Sequence, residues 1–322
     1  MANEIIRVKI SVVSPVYGCV NCLDELVKRI IQSTVGLYQL EIILVCDGDI
    51  DGSWAKVKTL ANDFPEVRGL KLMRNSGQHN AITAGLGIAT GEYAVVLDCD
   101  LGDQPEDIPR LVESLGTEFD IALGYSEHRS ETRFFGKLVR GIHFYFLKVF
   151  NNSEAAKLRL NFSFFAITKN LLDAYNSCYE KRRQVSTLLL ALSDSYVITP
   201  TTHMTSGERN STYDLLSRVK MALESYFLDS RYFLKRFSMI STVAFFISIL
   251  VSAVYIVMKM LIGTEFLPGW FSTMLLLSVI ICLQLLSIAV SSTFINEALM
   301  EVRARPAYII REDTQPLERI TN

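Results

Sequence analysis

Val95-Val96-Leu97-Asp98-Cys99-Asp100-Leu101 decides the fold. An uninterrupted apolar run fits a strand buried on both faces, the kind found in parallel sheets. The run stops at two carboxylates that flank a single residue. Such a pair can hold one hard divalent cation, which in turn neutralises a diphosphate. Asp-x-Asp alone is common in surface loops. Here it closes a strand, and an acidic, proline-containing helix start (Asp103, Pro105, Glu106, Asp107) follows at once. The pair therefore reads as a cation site at a strand end.

Outward from this point the same alternation repeats. Val8–Pro15, Glu41–Asp47, Gly69–Arg74 and Asp120–Tyr125 are short β-rich runs like Tyr93–Asp98. Helical stretches Cys22–Ser33, Trp54–Asp63, Asn80–Thr90 and Pro105–Gly116 lie between them. Strands alternating with helices predict an α/β domain with a mostly parallel sheet covered on both faces. Ligands of such sheets sit at the carboxyl ends of the strands, and the notable polar residues fall there: Tyr17, Asp47, Asn75, Asp98 and Asp100.

The last third reads differently. Ser238–Met258 and Phe271–Ile295 are runs without a charge. At 1.5 Å per residue the shorter spans roughly 32 Å as a helix, against roughly 30 Å of hydrocarbon. Two transmembrane helices are expected, joined by the short Gly- and Pro-containing stretch Lys259–Trp270. Lys235 and Arg236 precede the pair, and Arg303, Arg305 and Arg311 follow it, which places both termini on the cytoplasmic side. Ahead of the spans, residues 211–237 set Leu215, Leu216, Val219, Ala222, Leu223, Tyr226 and Phe227 at helical spacing among basic residues. This fits an amphipathic juxtamembrane segment lying in the interface, or an ordinary core helix. The expected organisation is a catalytic α/β domain over 1–210, the amphipathic segment over 211–237, two spans (238–258 and 271–295) and a cytoplasmic tail over 296–322.

Composition agrees. Of 322 residues, 50% are hydrophobic and 20% charged, with mean hydropathy +0.26. Those values exclude a disordered chain and lean toward membrane association. A net charge of −2 excludes nucleic-acid binding through bulk positive charge. MANEIIRVKISVV lacks the features of a secretory signal, so the first domain is expected to stay in the cytosol. There, the six cysteines should be mostly free thiols. Cys19-Val20-Asn21-Cys22 has the CxxC spacing but no second Cys or His pair to complete a zinc site, and reads as structural or incidental thiols. A second constellation is basic: Arg129, Arg133, Lys137, Arg140 and Lys148, interleaved with Phe134, Phe135, Phe144, Tyr145 and Phe146. It is either a solvated helix face or a place where a lipid phosphate is held while the rings meet acyl chain.

Ser14-Pro15-Val16-Tyr17, Val45-Cys46-Asp47-Gly48, the stretch from Arg74 to Gly85 and Asp98-Cys99-Asp100-Leu101 stand in the order found in family-2 glycosyltransferases of GT-A fold. The chain most resembles the polyprenyl-phosphate hexosyltransferase, dolichol-phosphate-mannose-synthase-like branch, in its bacterial form with two C-terminal transmembrane helices. Asn296–Ile310 looks like the segment that follows the membrane hairpin there. The resemblance covers nearly the whole chain. It implies that Pro15 and Tyr17 line the nucleotide base, that Asp47 accepts a hydrogen bond from a uracil ring, and that Gln78, Asp98 and Cys99 complete the nucleotide site. Asp98 and Asp100 would hold Mg2+ or Mn2+, with Asp100 the principal ligand, while Arg140, with Arg129 and Arg133, would hold donor and acceptor phosphates. Asn80 could be a simple helix cap, and Arg74 a surface charge.

Three departures stand out. Gly102 replaces a glutamine that can help coordinate the metal. Leu160-Asn161-Phe162 has an amide where relatives often carry an aspartate that could act as base. Ser206–Tyr213 keeps only Ser211 and Tyr213 of an Arg-x-x-Gly-x-Ser-x-Tyr pattern. A phosphate acceptor is ionised near neutral pH and needs little help from a base, so positioning and charge neutralisation carry the reaction. The implied function is metal-dependent transfer of a hexose from a nucleoside diphosphate sugar, UDP-linked by preference, to polyprenyl (undecaprenyl) phosphate, with inversion, at a bacterial inner membrane. The alternatives are a hydroxyl acceptor on a lipid-linked glycan, or a degenerate membrane scaffold. Self-association into a homo-oligomer is compatible with the sequence.

Overall fold

The computed structural model describes residues 7–125, 162–178, 184–202, 269–302 and 306–315, with isolated positions at 250, 257 and 261. The expected strands and helices form: β1 (Lys9–Val16), α1 (Leu23–Thr34), β2 (Gln39–Cys46), α2 (Ser53–Asp63), β3 (Val67–Leu72), α3 (Gln78–Leu86), β4 (Tyr93–Val96), a 3-10 turn at Pro105–Asp107 running into α4 (Ile108–Leu115), and β5 (Ile121–Tyr125). Beyond them come β6 (Phe165–Thr168), α5 (Lys169–Ser177), α6 (Val185–Leu192), β7 (Tyr196–Pro200), α7 (Trp270–Val302) and β8 (Ile310–Asp313).

The strands make one eight-stranded sheet in the order β7-β5-β6-β4-β1-β2-β3-β8. Its centre, β4-β1-β2-β3, is parallel; β6 runs antiparallel to β4 and β5, and β8 antiparallel to β3. Side chains of a strand alternate between faces, and the two cores divide on that rule. Ile42, Leu44 and Cys46 enter one core with Leu23, Leu26, Val27 and Ile30 of α1, together with α2 and α4. Ile43 and Val45 enter the other with α3, α5 and α6. Apolar residues at 23, 26, 27 and 30 are one stripe of a helix, which is why α1 forms and why it lies on the sheet. Gly85 lets α3 settle against β1, since a Cβ there would stand 2.3 Å from Val13 Cγ1.

The segment expected as a tail over 296–322 is divided. Residues 296–302 continue helix α7, while Ile310–Asp313 completes the sheet. Arg68, almost fully buried, donates from Nε and Nη2 to Asp313 at 3.1 and 2.7 Å. Trp54 Nε1 donates to Glu312 at 3.0 Å, and Gly69 N donates to the Thr314 hydroxyl at 2.8 Å. A bidentate arginine–carboxylate pair with little solvent access is held far more firmly than a surface pair.

Helix α7 belongs to a second compact unit. It is a single 33-residue helix that contains the second charge-free run. Leu276, Leu277, Val279, Ile281, Leu283 and Ile288 are exposed on it, and at 100° per residue those positions spread over about 200° of its circumference. Counted only over residues whose side chains are described, no helix is long and apolar enough to cross a membrane. The first expected span, 238–258, and the amphipathic segment, 211–237, lie outside the described residues apart from Leu250 and Val257.

Candidate active site

The carboxyl ends of β1, β2 and β4 lie side by side, because β1 is the strand from which the order departs in both directions, the place where open α/β sheets bind ligands. Val16 pairs with Cys46, and Val13 pairs with Val96. Tyr17, Asp47 and Asp98 therefore leave adjacent strand ends. Tyr17 is half exposed, and Pro15 beneath it is buried.

Asp47 is 3% exposed. Its Oδ1 accepts the backbone N–H of Ser76 at 2.6 Å and its Oδ2 that of Gly77 at 2.7 Å. Burial raises its pKa against the lowering effect of those two bonds. The carboxylate thus first holds the loop between β3 and α3, and offers a base only its remaining lone pairs. That loop turns at Gly77, with φ at +93°, and Gln78 opens α3. Asn80 is not the cap expected for this helix: Gly77 is, and Asn80 Nδ2 donates to Ser76 O at 2.7 Å from within the first turn. Arg74 is exposed.

Gln78 Nε2 donates to Asp98 Oδ1 at 2.6 Å, so two of the expected nucleotide-site residues meet directly. Asp98 is half-buried, and Asp100 is exposed, with Oδ1 accepting Gly102 N at 2.9 Å. Leu101 between them has φ at +60°, a backbone region rare for a side chain of its type. Gln104, buried, donates to Leu101 O at 3.2 Å and accepts from Arg29 Nη2. Arg29 in turn grips Glu106 at 2.8 and 2.6 Å. This brace of α1 against the carboxylate turn was not foreseen. Its only sequence sign is a glutamine beside the proline of a helix start.

Cys99 requires a correction. Its sulfur is bonded to that of Cys19, 80 residues earlier, with the Cα atoms 6.5 Å apart. The two cysteines are therefore not the free thiols expected, and Cys99 can offer a nucleotide only its backbone. Cys22 and Cys46 keep free thiols. CxxC spacing points only to the near partner, Cys22, and disulfide connectivity is not a local property of sequence.

Among the described residues no group of three His, Cys, Asp or Glu is placed to hold a metal. Asp98 and Asp100 nevertheless suit Mg2+ or Mn2+, which take one or two carboxylates and draw further oxygens from substrate phosphates. Arg129, Arg133, Arg140, Asn161, Ser211 and Tyr213 lie outside the described residues.

Comparison with known proteins gives the family of the chain. The family described as Glycosyl transferase family 2 matches residues 11–174. The undecaprenyl-phosphate 4-deoxy-4-formamido-L-arabinose transferase of Sodalis glossinidius is 28% identical over 310 residues, covering 94% of this chain and 93% of its own. The protein of the same name from Proteus mirabilis is also 28% identical, with the same coverage. Among solved structures, glucosyl-3-phosphoglycerate synthase from Mycobacterium tuberculosis, in complex with Mn2+, uridine diphosphate and phosphoglyceric acid, superposes with a TM-score of 0.49 at 17% identity, covering 67% of this chain and 75% of that one.

Proposed function

The chain belongs to glycosyl transferase family 2, and from that premise we propose that this glycosyltransferase moves a sugar from a nucleoside diphosphate donor, uridine diphosphate by preference, to a polyprenyl phosphate at a membrane face. The observation that carries the reading is the pair of half-buried Asp98 and exposed Asp100 at a strand end beside Tyr17 and Asp47. The relatives support the acceptor, since their names specify undecaprenyl phosphate and the match runs along nearly the whole of both chains. They also widen the choice of sugar from a hexose to a modified pentose.

The chemistry follows from the residues. Tyr17 and the free lone pairs of Asp47 receive the base, and Gln78 orients Asp98. Asp98 and Asp100 are the residues that would hold a divalent ion. When Mg2+ or Mn2+ is bound there, it supplies positive charge that stabilises the departing diphosphate. A lipid phosphate oxygen attacks the anomeric carbon, the bond from that carbon to the diphosphate oxygen breaks, and the centre inverts. Arg129, Arg133 and Arg140 are the residues of this sequence proposed to hold the acceptor phosphate. The attacking oxygen is already anionic, so Asn161 in place of an aspartate does not block the step.

Anchoring rests on two features. A long helix with a charge-free run and exposed leucine, isoleucine and valine over a broad face suits lipid rather than water. Strand β8 pairs with β3 of the catalytic sheet, so whatever leaves that domain after residue 202 returns to the same side before residue 310. If α7 crosses, a second crossing must balance it, and Ser238–Met258 is the run that can supply it. Both ends of the chain then share the cytoplasmic face of a bacterial inner membrane.

The test is transfer of labelled sugar by detergent-purified protein to polyprenyl phosphate with Mn2+ or Mg2+. The donor panel spans UDP- and GDP-hexoses and UDP-linked 4-deoxy-4-formamido-L-arabinose. Organic-extractable label that vanishes in EDTA is expected, and the productive donor names the sugar. Label appearing only on lipid-linked saccharides would replace the phosphate acceptor with a hydroxyl.

A further inference from the structure

The reaction as proposed makes no use of the bond between Cys19 and Cys99, yet that bond joins the two halves of the donor site. Cys19 lies two residues beyond Tyr17, and Cys99 lies between Asp98 and Asp100. Both sulfurs are nearly enclosed, since Cys19 is 5% and Cys99 8% exposed, so a large reductant cannot reach the bond head-on. Cys22 supplies a route. It keeps a free, half-buried thiol, and its N–H donates to Cys19 O at 3.0 Å, which closes a tight turn and folds it back beside Cys19. Cys46, by contrast, is fully buried with its thiol pushed up to about 12, mainly by desolvation, and is inert.

We propose that Cys19, Cys22 and Cys99 form a redox-modification site on the donor pocket, opened through Cys22 by a dithiol reductant, and that the closed Cys19–Cys99 bond holds the pocket in its binding geometry. The pocket clause rests on the donor-site reading above. In the opening step the Cys22 thiolate attacks the Cys19 sulfur. A Cys19–Cys22 bond forms, the Cys19–Cys99 bond breaks, and Cys99 leaves as a thiolate that takes up the proton given up by Cys22. The dithiol then reduces the Cys19–Cys22 bond through a mixed disulfide. Two electrons and two protons pass to the cysteine pair, and the reductant becomes its own disulfide. A disulfide oxidant reverses the sequence. On the cytosolic face proposed for this domain, lasting structural disulfides are rare, and those that form mostly catalyse or sense.

The effect on binding follows from preorganisation. With the bond closed, the backbone of both carboxylates is tied to the loop that carries Tyr17. With it open, that loop must be ordered by the donor itself, which weakens binding.

The experiment equilibrates the full chain in detergent with glutathione buffers of graded poise, traps free thiols by alkylation and maps linkages by peptide mass spectrometry. Binding of uridine diphosphate with Mn2+ is then measured by calorimetry at each poise. The 19–99 linkage is expected to rise with oxidising poise, and the linked form to bind about three- to tenfold more tightly. Cys19→Ser should bind with an affinity that ignores the poise. Cys22→Ser should still form the 19–99 bond but open about tenfold more slowly with dithiothreitol. A 19–99 linkage that does not respond to poise, equal affinity of the two forms, or unslowed opening of Cys22→Ser would overturn the proposal. Linkage that follows poise in a protein that binds no nucleotide in either form would overturn the donor-site reading instead.

Discussion

The two ends of the central strands treat their polar groups in opposite ways. At the amino end, Ser11, Glu41, Thr90 and Lys9 satisfy one another: Ser11 Oγ donates to Glu41, Gly91 N donates to Ser11 Oγ at 2.8 Å, Thr90 N donates to Glu41 at 3.0 Å, and Lys9 reaches Thr90. The cluster ties β1, β2 and the approach to β4 together. At the carboxyl end, Asp47 is held by two backbone N–H groups but keeps lone pairs, Asp98 is steered by Gln78, and Asp100 stands in solvent. Polar groups that close on themselves stabilise a fold, and groups held in place with bonding capacity left over can act on something else.

That contrast can be broken at either end. The largest effect belongs to Asp100→Ala, which should lower transfer by about 100- to 1,000-fold, the usual scale for losing a group that neutralises transition-state charge. The melting temperature should stay within a few degrees, since the residue is exposed; a large drop in stability would mean that Asp100 is structural. Next comes Gly91→Ala. Its Cβ would meet Ser11 N at 2.6 Å and Tyr93 O at 2.8 Å, both backbone atoms. About 3 kcal/mol of stability should be lost in denaturant titration, with transfer per folded molecule unchanged.

Asp47→Asn tests a residue that belongs to both descriptions. An amide N–H2 must face the N–H of Ser76 or Gly77, leaving a donor unsatisfied at a cost of about 1–3 kcal/mol. Both stability and nucleotide affinity should fall; loss of stability alone would make Asp47 only a clamp for its loop. The smallest effect concerns Glu106, whose pKa is lowered chiefly by its hydrogen bond to Arg29. A depressed carboxylate contributes stability above its unfolded pKa and loses it as pH falls through the folded value. Glu106→Gln should therefore remove, below the ordinary glutamate value of 4.5, a slope worth well under 1 kcal/mol because the pair is partly exposed. Matched acid titrations of the two proteins measure it.

The difference between the two ends also governs what the sequence discloses. Strands β1 to β5 could be read because burial on both faces demands short β-rich, mostly apolar runs, and Asp98 and Asp100 because a carboxylate pair ends such a run. Ile310-Arg311-Glu312-Asp313 shows no strand pattern, because an exposed edge strand is selected by its partner rather than by its own residues. Asp47 could be singled out as a candidate by its type, but the N–H groups it holds belong to a loop 29 and 30 residues away. The Arg29–Gln104 brace was hidden for the same reason: an arginine on a helix face looks solvated until the element opposite it is known.

Strand β8 carries a consequence for the order in which the molecule comes into being. Arg68 meets Asp313 across 245 residues, so during synthesis the β3 edge stands open and a nearly buried guanidinium waits unpaired while everything between is made. Pairing over such a separation closes late. The catalytic domain therefore finishes folding only after the apolar segments have left the ribosome, and a chain stalled or cut before residue 310 presents a bare strand edge and an uncompensated charge, features that mark it as unfinished.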